Sequence, residues 1–159
     1  MDERILIVED EKIISEDIKR VLTKYGYYVS GIVSEGQEAI ETVERTKPDM
    51  VTMDIRLSGK ISGTEAAKII HEKFNTPVVF ITAYSDDENI EDAKLSKPFG
   101  FLLKPVRERE LLATLKIAFY KIELEKGHIS DLPSVHRKQR IARKKFRKGL
   151  LRKLLDKIT

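Results

Sequence analysis

With 159 residues, 41% of them hydrophobic, the chain has room for one ordinary domain and about thirty residues more, and it can bury a core, which excludes wholesale disorder. It has no cysteine, so disulfide scaffolds, thiolate zinc sites and cysteine nucleophiles are excluded, and His71, His128 and His136 lack metal-ligand spacing. The net charge of +4 hides an uneven spread: residues 1–125 carry 18 Lys+Arg against 24 Asp+Glu, or −6, and residues 126–159 carry 12 against 2, or +10.

Arg4–Val8 is short, apolar and β-branched, the pattern of a strand buried on both faces. Residues 11–25 follow with Ile14, Ile18, Val21 and Leu22 at helical spacing, closed by Gly26. Residues 27–33 form a second strand. Ser34, with Gln37 three residues on, predicts a capping box for a helix that turns Ala39, Ile40 and Val43 inward and ends at Pro48. Residues 50–53 read as a third strand, followed by a glycine-containing loop over 57–62. Gly63–Phe74 is helical by period through Ala66, Ala67, Ile69 and Ile70. Residues 77–82 are a fourth strand, Asp87–Leu95 a short helix and residues 99–103 a fifth strand. Residues 107–125 form a long helix carrying Leu111, Leu112, Leu115, Ala118, Phe119 and Ile122.

Five strands alternating with five helices predict an α/β domain, a parallel sheet wound with helices on both faces. In that arrangement the functional site lies at the carboxyl ends of the strands. Glu9 and Asp10 follow the first strand, Asp54 the third, Thr82 the fourth, and Lys104-Pro105 the fifth. Carboxylates gathered in one pocket repel unless a cation neutralises them. All-oxygen ligands suit a hard ion, and Mg²⁺ is usual where phosphate also binds. Lys104 offers a point charge for an anion, Thr82 a hydroxyl donor, and a carboxylate a potential acceptor for a phosphoryl group.

These residues resemble the receiver domain of two-component response regulators. The matching motifs are Glu9-Asp10 after Ile-Leu-Ile-Val, Asp54 in Met-Asp-Ile-Arg-Leu, Thr82-Ala83 and Lys104-Pro105, with Phe101 at the position of the family's switch aromatic. The resemblance covers residues 3–125. It implies a flavodoxin-like sheet in the order 2-1-3-4-5. It also implies that Asp54 accepts a phosphoryl group from a sensor histidine kinase. Mg²⁺ would be held by Asp10, by Glu9 acting more through water, by Asp54 and by the backbone carbonyl of Arg56. Thr82 and Lys104 would each bind a phosphoryl oxygen. Inward movement of Thr82 would let Phe101 rotate, changing the face made by the fourth helix, fifth strand and fifth helix. The Lys104–Pro105 bond would be cis. The only catalysis implied is self-phosphorylation from a donor and slow dephosphorylation, so the role is that of a switch. The segment from Leu57 to Gly63 departs from the commonest pattern: it is one residue longer and lacks the usual proline. Tyr84, near the site mouth, is a candidate for slowing water attack.

Simpler roles exist for the same residues. Glu9-Asp10 could cap the first helix. Phe101 could be an ordinary core aromatic. His71 reads as a boundary residue, and Glu3, Glu35 and Asp86-Asp87-Glu88 as solvated charges. A haloacid-dehalogenase-like phosphatase would need a second Asp where Arg56 stands. An FMN module would need a phosphate loop where Glu9-Asp10-Glu11 stands.

The expected organisation is a receiver domain over 1–126, a linker over 127–134 and a basic amphipathic helical tail over 135–159. In the tail, Ala142, Phe146, Leu150, Leu154 and Ile158 recur every four residues, widened by Leu151 and Leu155. The tail is too short for a winged helix and lacks a helix-turn-helix pattern. Its leucines favour a protein partner or a homodimer. Its basic residues, from Arg137 to Lys148, offer a second reading as a nucleic-acid-binding helix, in which the receiver controls binding to DNA or RNA. An anionic membrane surface and no role at all are the other readings. Mixed charges at Lys94, Lys97, Arg107 and Glu110 permit an interface on the switch face. No apolar run reaches the length of a membrane span, and residues 1–8 do not read as a signal peptide, so the expected location is cytoplasmic.

Overall fold

The structure, a computed structural model, describes residues 3–83 and 87–127, with the backbone alone at 87–90. Tyr84, the side chains of Asp87 and Glu88, the linker beyond Gly127 and the tail over 135–159 lie outside the described residues, as does Asp86. One compact unit covers Met1–Ile122.

The elements in chain order are β1 (Arg4–Val8), α1 (Lys12–Lys24), β2 (Tyr28–Val33), α2 (Gly36–Thr46) and β3 (Met50–Asp54). They are followed by α3 (Gly63–Phe74), β4 (Val78–Thr82), α4 (Asp87–Leu95), β5 (Gly100–Leu103) and α5 (Glu108–Glu125). The strands form one parallel sheet in the order β2-β1-β3-β4-β5. Every residue of β3 and β4 is buried, which is why these strands read as continuous apolar runs and not as alternating ones.

Alternation still decides which layer each side chain enters, because successive strand residues point to opposite faces. Leu6, Val8, Val51, Met53, Val78 and Phe80 pack with Ala39, Ile40, Val43, Ala66, Ala67 and Ile70 from α2 and α3. Ile5, Ile7, Met50, Val79, Ile81 and Leu102 pack with Ile18 and Leu22 from α1 and Leu111, Leu115 and Ala118 from α5. Each Val, Leu, Ile, Met or Phe among them, fully buried, contributes about 1.5–3 kcal/mol. The two layers clamp the sheet from both faces and hold its strand ends in register.

The ladders run level to the carboxyl edge. Val8 is registered with Val33 and Met53, Asp54 with Ile81, and Thr82 with Leu103. The Glu9 N–H donates to the Val33 carbonyl at 2.9 Å, and the Lys104 N–H to the Thr82 carbonyl at 2.8 Å. Glu9, Asp54, Thr82 and Lys104 therefore share one edge although up to 95 residues separate them.

Helix entries show one departure from the sequence reading. The Ser34–Gln37 capping box does not form. Glu35 is the N-cap of α2, extended at φ −127° and ψ 147°, without a side-chain cap. Glu35 instead bridges to Ser58 in the loop after β3. A Cβ at Gly36 would lie 2.8 Å from Ile61 Cγ1, so packing against that loop sets where α2 starts. The capping box that does form is at α3: Ser62 Oγ accepts from Glu65 N at 3.2 Å and Glu65 Oε2 accepts from Ser62 N at 2.7 Å. At the other end of α1, Gly26 adopts φ +85°, the left-handed conformation that closes helices without a Cβ penalty.

Candidate functional site at the carboxyl edge of the sheet

Asp54 is the last residue of β3 and is only 4% exposed. Its Oδ1 accepts the Arg56 N–H at 3.1 Å, and its Oδ2 lies 2.8 Å from Lys104 Nζ. Lys104 follows β5 across a cis bond to Pro105, as the resemblance implied. Its ammonium also meets Glu9 Oε2 at 3.0 Å and Glu11 Oε1 at 3.2 Å. The carboxylate oxygens of Glu9, Glu11 and Asp54 lie within 4.8 Å of one another. One cation thus serves three carboxylates, two of them buried.

The electrostatics follow from that count. Burial, helped by Asp54 nearby, raises the Glu9 carboxyl to about 7 despite the Glu11 N–H and Lys104 that oppose it. Burial also raises Asp54, against the pull of Lys104 and the Arg56 N–H, and Asp10 adds to the rise. Lys104 is raised as well: burial alone would lower it, but its hydrogen bonds to Asp54 and Glu9 outweigh burial and hold it charged above the ordinary lysine range.

Thr82 ends β4 and is 1% exposed, with its Oγ1 donating to the Ala83 carbonyl at 3.2 Å. Phe101 sits opposite Phe80 in the ladder and stacks on it, with ring centroids 5.5 Å apart. It is 37% exposed, so it is a boundary residue at the sheet edge and not a core aromatic.

Asp10 is the residue whose placement the sequence did not reveal. Its carboxylate is outside the cluster, with Oδ2 accepting from Ser58 Oγ at 2.7 Å and Ser58 N at 3.2 Å. Glu11, which the sequence reading did not single out, takes a place in the cluster. The sequence offers Glu11 only as the third member of the acidic run Glu9-Asp10-Glu11, which bends at Asp10 before α1 begins. Glu9 Oε1 accepts the Glu11 N–H at 3.0 Å, just before α1, whose N-cap Glu11 makes no side-chain cap.

The donor set fits a divalent cation. It is all oxygen, and its negative charge exceeds its positive charge. The buried Glu9 Oε2 has its ion pair with Lys104 but no hydrogen bond, so a buried acceptor is left for a further ligand.

A parallel α/β sheet with buried carboxylates and a lysine gathered at its carboxyl edge sets the class of fold and site. The chain matches the family described as response regulator receiver domain over residues 5–116, and it belongs to that family. It is 34% identical to the transcriptional regulatory protein PdtaR of Mycobacterium tuberculosis over 132 residues, 81% of this chain and 64% of the relative. It is 37% identical to the transcriptional regulatory protein YvrH of Bacillus subtilis over 70% of this chain and 47% of the relative. The chain therefore spans less than two thirds of the length of these relatives. Among solved structures, the signal receiver domain of a modulated diguanylate cyclase from Desulfovibrio desulfuricans G20 superposes with a TM-score of 0.74 at 35% identity, over 77% of this chain and 97% of that one. Receiver domains are signalling modules of two-component systems, generally not enzymes, and they bind Mg²⁺ through acidic residues. Among the described residues no helix is long and apolar enough to cross a membrane.

Proposed function

We propose that this chain is a phosphorylation-controlled switch whose acceptor is Asp54. The observation that carries the reading is the buried Asp54–Lys104 pair at 2.8 Å, set among carboxylates at the carboxyl edge of the sheet. An Asp54 carboxylate oxygen attacks the phosphorus of a phosphohistidine on a sensor kinase. The N–P bond breaks as the O–P bond forms, and the imidazole leaves to take up a proton. Lys104 keeps its charge throughout and pairs with a phosphoryl oxygen. The Thr82 hydroxyl donates to another. Asp10, Glu9, Asp54 and the Arg56 carbonyl are the residues that would hold Mg²⁺, which when bound neutralises charge on the carboxylates and the incoming phosphoryl group.

The test is labelling by a small acyl-phosphate donor with Mg²⁺, read by intact mass. Wild type is expected to gain one phosphoryl group and Asp54→Asn none. Labelling that persists in Asp54→Asn refutes the acceptor.

A groove of about 190 Å³ supports a kinase docking face beside the acceptor. Ile14, Ile18 and Val21 of α1 line it with Pro105, Val106 and Leu111, next to Lys104. Ile13, in the adjacent position, is 81% exposed, an apolar side chain without cover. Ile13→Asp is expected to slow transfer from the cognate kinase by about tenfold, the effect of losing one interface anchor. Labelling by the small donor is expected to stay at the wild-type rate, and a parallel loss in both assays would count against docking there.

The output is proposed to leave through α4, β5 and α5, where Leu95, Phe101, Leu103, Ile117 and Tyr120 are exposed apolar side chains suited to a partner or a second copy. The +10 charge of residues 126–159 favours nucleic acid as the second reading. Fluorescence anisotropy of labelled DNA and RNA, across a salt series and with beryllofluoride as the phosphoryl mimic, separates the two. Salt-sensitive binding that responds to the mimic selects the nucleic-acid reading, and no binding in either state selects the protein one.

A further inference from the structure

Resting on the reading of Asp10 as a Mg²⁺ ligand, we propose that Ser58 is a positioning residue that holds Asp10 away from the carboxylate cluster and so opposes Mg²⁺ binding. Loading Mg²⁺ then requires Asp10 to leave Ser58.

Both Ser58 donors, the hydroxyl at 2.7 Å and the backbone N–H at 3.2 Å, go to the same oxygen of Asp10. Hydrogen bonds to a charged carboxylate are the stronger kind, so together they fix the rotamer of an otherwise exposed side chain. The anchor is not itself part of the cluster. Ser58 pairs with Glu35 at the entry to α2, and the next residue, Gly59 (φ +110°), packs its Cα side against the Glu35 side chain. Ser58 and Gly59 are therefore tied to the entry of α2.

The cluster, meanwhile, is complete without Asp10. Glu9, Glu11 and Asp54 converge within 4.8 Å, and Lys104 ion-pairs with all three. Asp10 follows Glu9 directly, so a change of its side-chain torsions, with no shift of the sheet, would redirect it toward the edge. What opposes that rotation is Ser58. A proline at position 58 would have neither the N–H nor the hydroxyl, so this hold depends on the residue that replaces it in the unusual loop after Asp54.

Isothermal calorimetry of Mg²⁺ with the full chain tests the idea, beside melting curves in the absence of metal. Ser58→Ala removes the hydroxyl. It is expected to tighten Mg²⁺ binding by about tenfold, the effect of one charge-assisted hydrogen bond. It is also expected to melt slightly earlier without metal and to gain more from Mg²⁺. Ser58→Thr restores the hydroxyl and is expected to return the wild-type affinity. Unchanged affinity in Ser58→Ala, or weaker binding, overturns the proposal, the latter because Ser58 would then be orienting Asp10 as a ligand. Asp10→Asn separates this failure from that of the functional reading. If Asp10→Asn loses Mg²⁺ while Ser58→Ala behaves as wild type, only the hold is wrong. If Asp10→Asn binds Mg²⁺ normally, the ligand assignment falls and the hold with it.

Discussion

Gly63→Ala is expected to destabilise the domain by about 3 kcal/mol or more, and to lower its melting temperature by about 10 °C. Gly63 is the first residue of α3, directly behind the acceptor strand. A Cβ there would lie 1.8 Å from the Asp54 carbonyl oxygen, 2.9 Å from its carbonyl carbon and 3.0 Å from the Ile55 carbonyl oxygen. The obstacle is backbone, so it cannot swing aside as a side chain would. β3 is buried along its whole length and paired on both sides, and the Gly63 N–H donates to the Ile55 carbonyl at 3.0 Å. Relief must come from α3 lifting off the sheet or from the Asp54 peptide rotating. The first opens the layer around Ala66, Ala67 and Ile70, and the second misaims the acceptor. Gly26→Ala is the matched control. It has nothing within 4 Å and suffers only the left-handed strain of φ +85°, about 1 kcal/mol. Urea and thermal unfolding of the two variants check the difference. Equal stability would mean that the chain behind Asp54 has slack the geometry does not show.

How much of this was legible in the sequence depends on how local the cause was. The strands were legible because both faces of β1, β3 and β4 are covered, which forces continuous apolar runs such as Val78–Thr82. All ten elements were placed to within about two residues, the ordinary precision of helix and strand ends. The start of α2 was misread for a physical reason. Ser34 has the chemistry of a cap, but Glu35 is held extended by its bridge to Ser58, and Gly36 must enter under Ile61. Those partners lie more than twenty residues away, beyond any local pattern. The capping box at Ser62 and Glu65 had a local signal that the sequence reading passed over.

The site divides along the same line. Convergence of Glu9, Asp54, Thr82 and Lys104 follows from parallel topology, because each ends a strand of the same sheet. The direction of Asp10 does not. It is exposed, and the conformation of the loop after β3 decides which way it turns. Phe101 shows a third case. It stands opposite Phe80 in the ladder, and its half-open position follows from β5 being the edge strand.

Lys104→Met is expected to cost the metal-free protein about 3 to 5 kcal/mol near neutral pH, the penalty of stranding buried charges by removing their partner. Methionine matches the apolar stem of the lysine without its ammonium, so the loss measures charge more than packing. The pair is buried enough for that figure to apply: the side chains of Lys104, Glu9 and Asp54 are 14%, 1% and 5% exposed. The pH dependence carries the sharper test. Glu9 rises from 4.5 to about 7 on folding, so the folded chain binds its proton more tightly than the unfolded chain does. The stability this confers is fully present below about pH 4.5 and is lost as the pH rises through about 7, a change of about 3 kcal/mol for one group. Asp54 is shifted in the same direction and adds to the slope. Lys104 is shifted upward and stays charged across that window, so in wild type it limits the loss. Without it the carboxyls titrate higher still, and Lys104→Met should fall away from wild type as the pH rises and approach it again in mild acid. Glu9→Gln should do the reverse, with a flatter profile and a gain in stability at neutral pH. Urea unfolding with a chelator, from about pH 4.5 to 7, reads all three proteins. Profiles for wild type and Glu9→Gln that stay parallel over that range would remove Glu9 as the source of the slope. The two variants thus separate the contributions: Lys104 sets how much repulsion the folded edge can hold, and Glu9 sets the pH at which that repulsion begins.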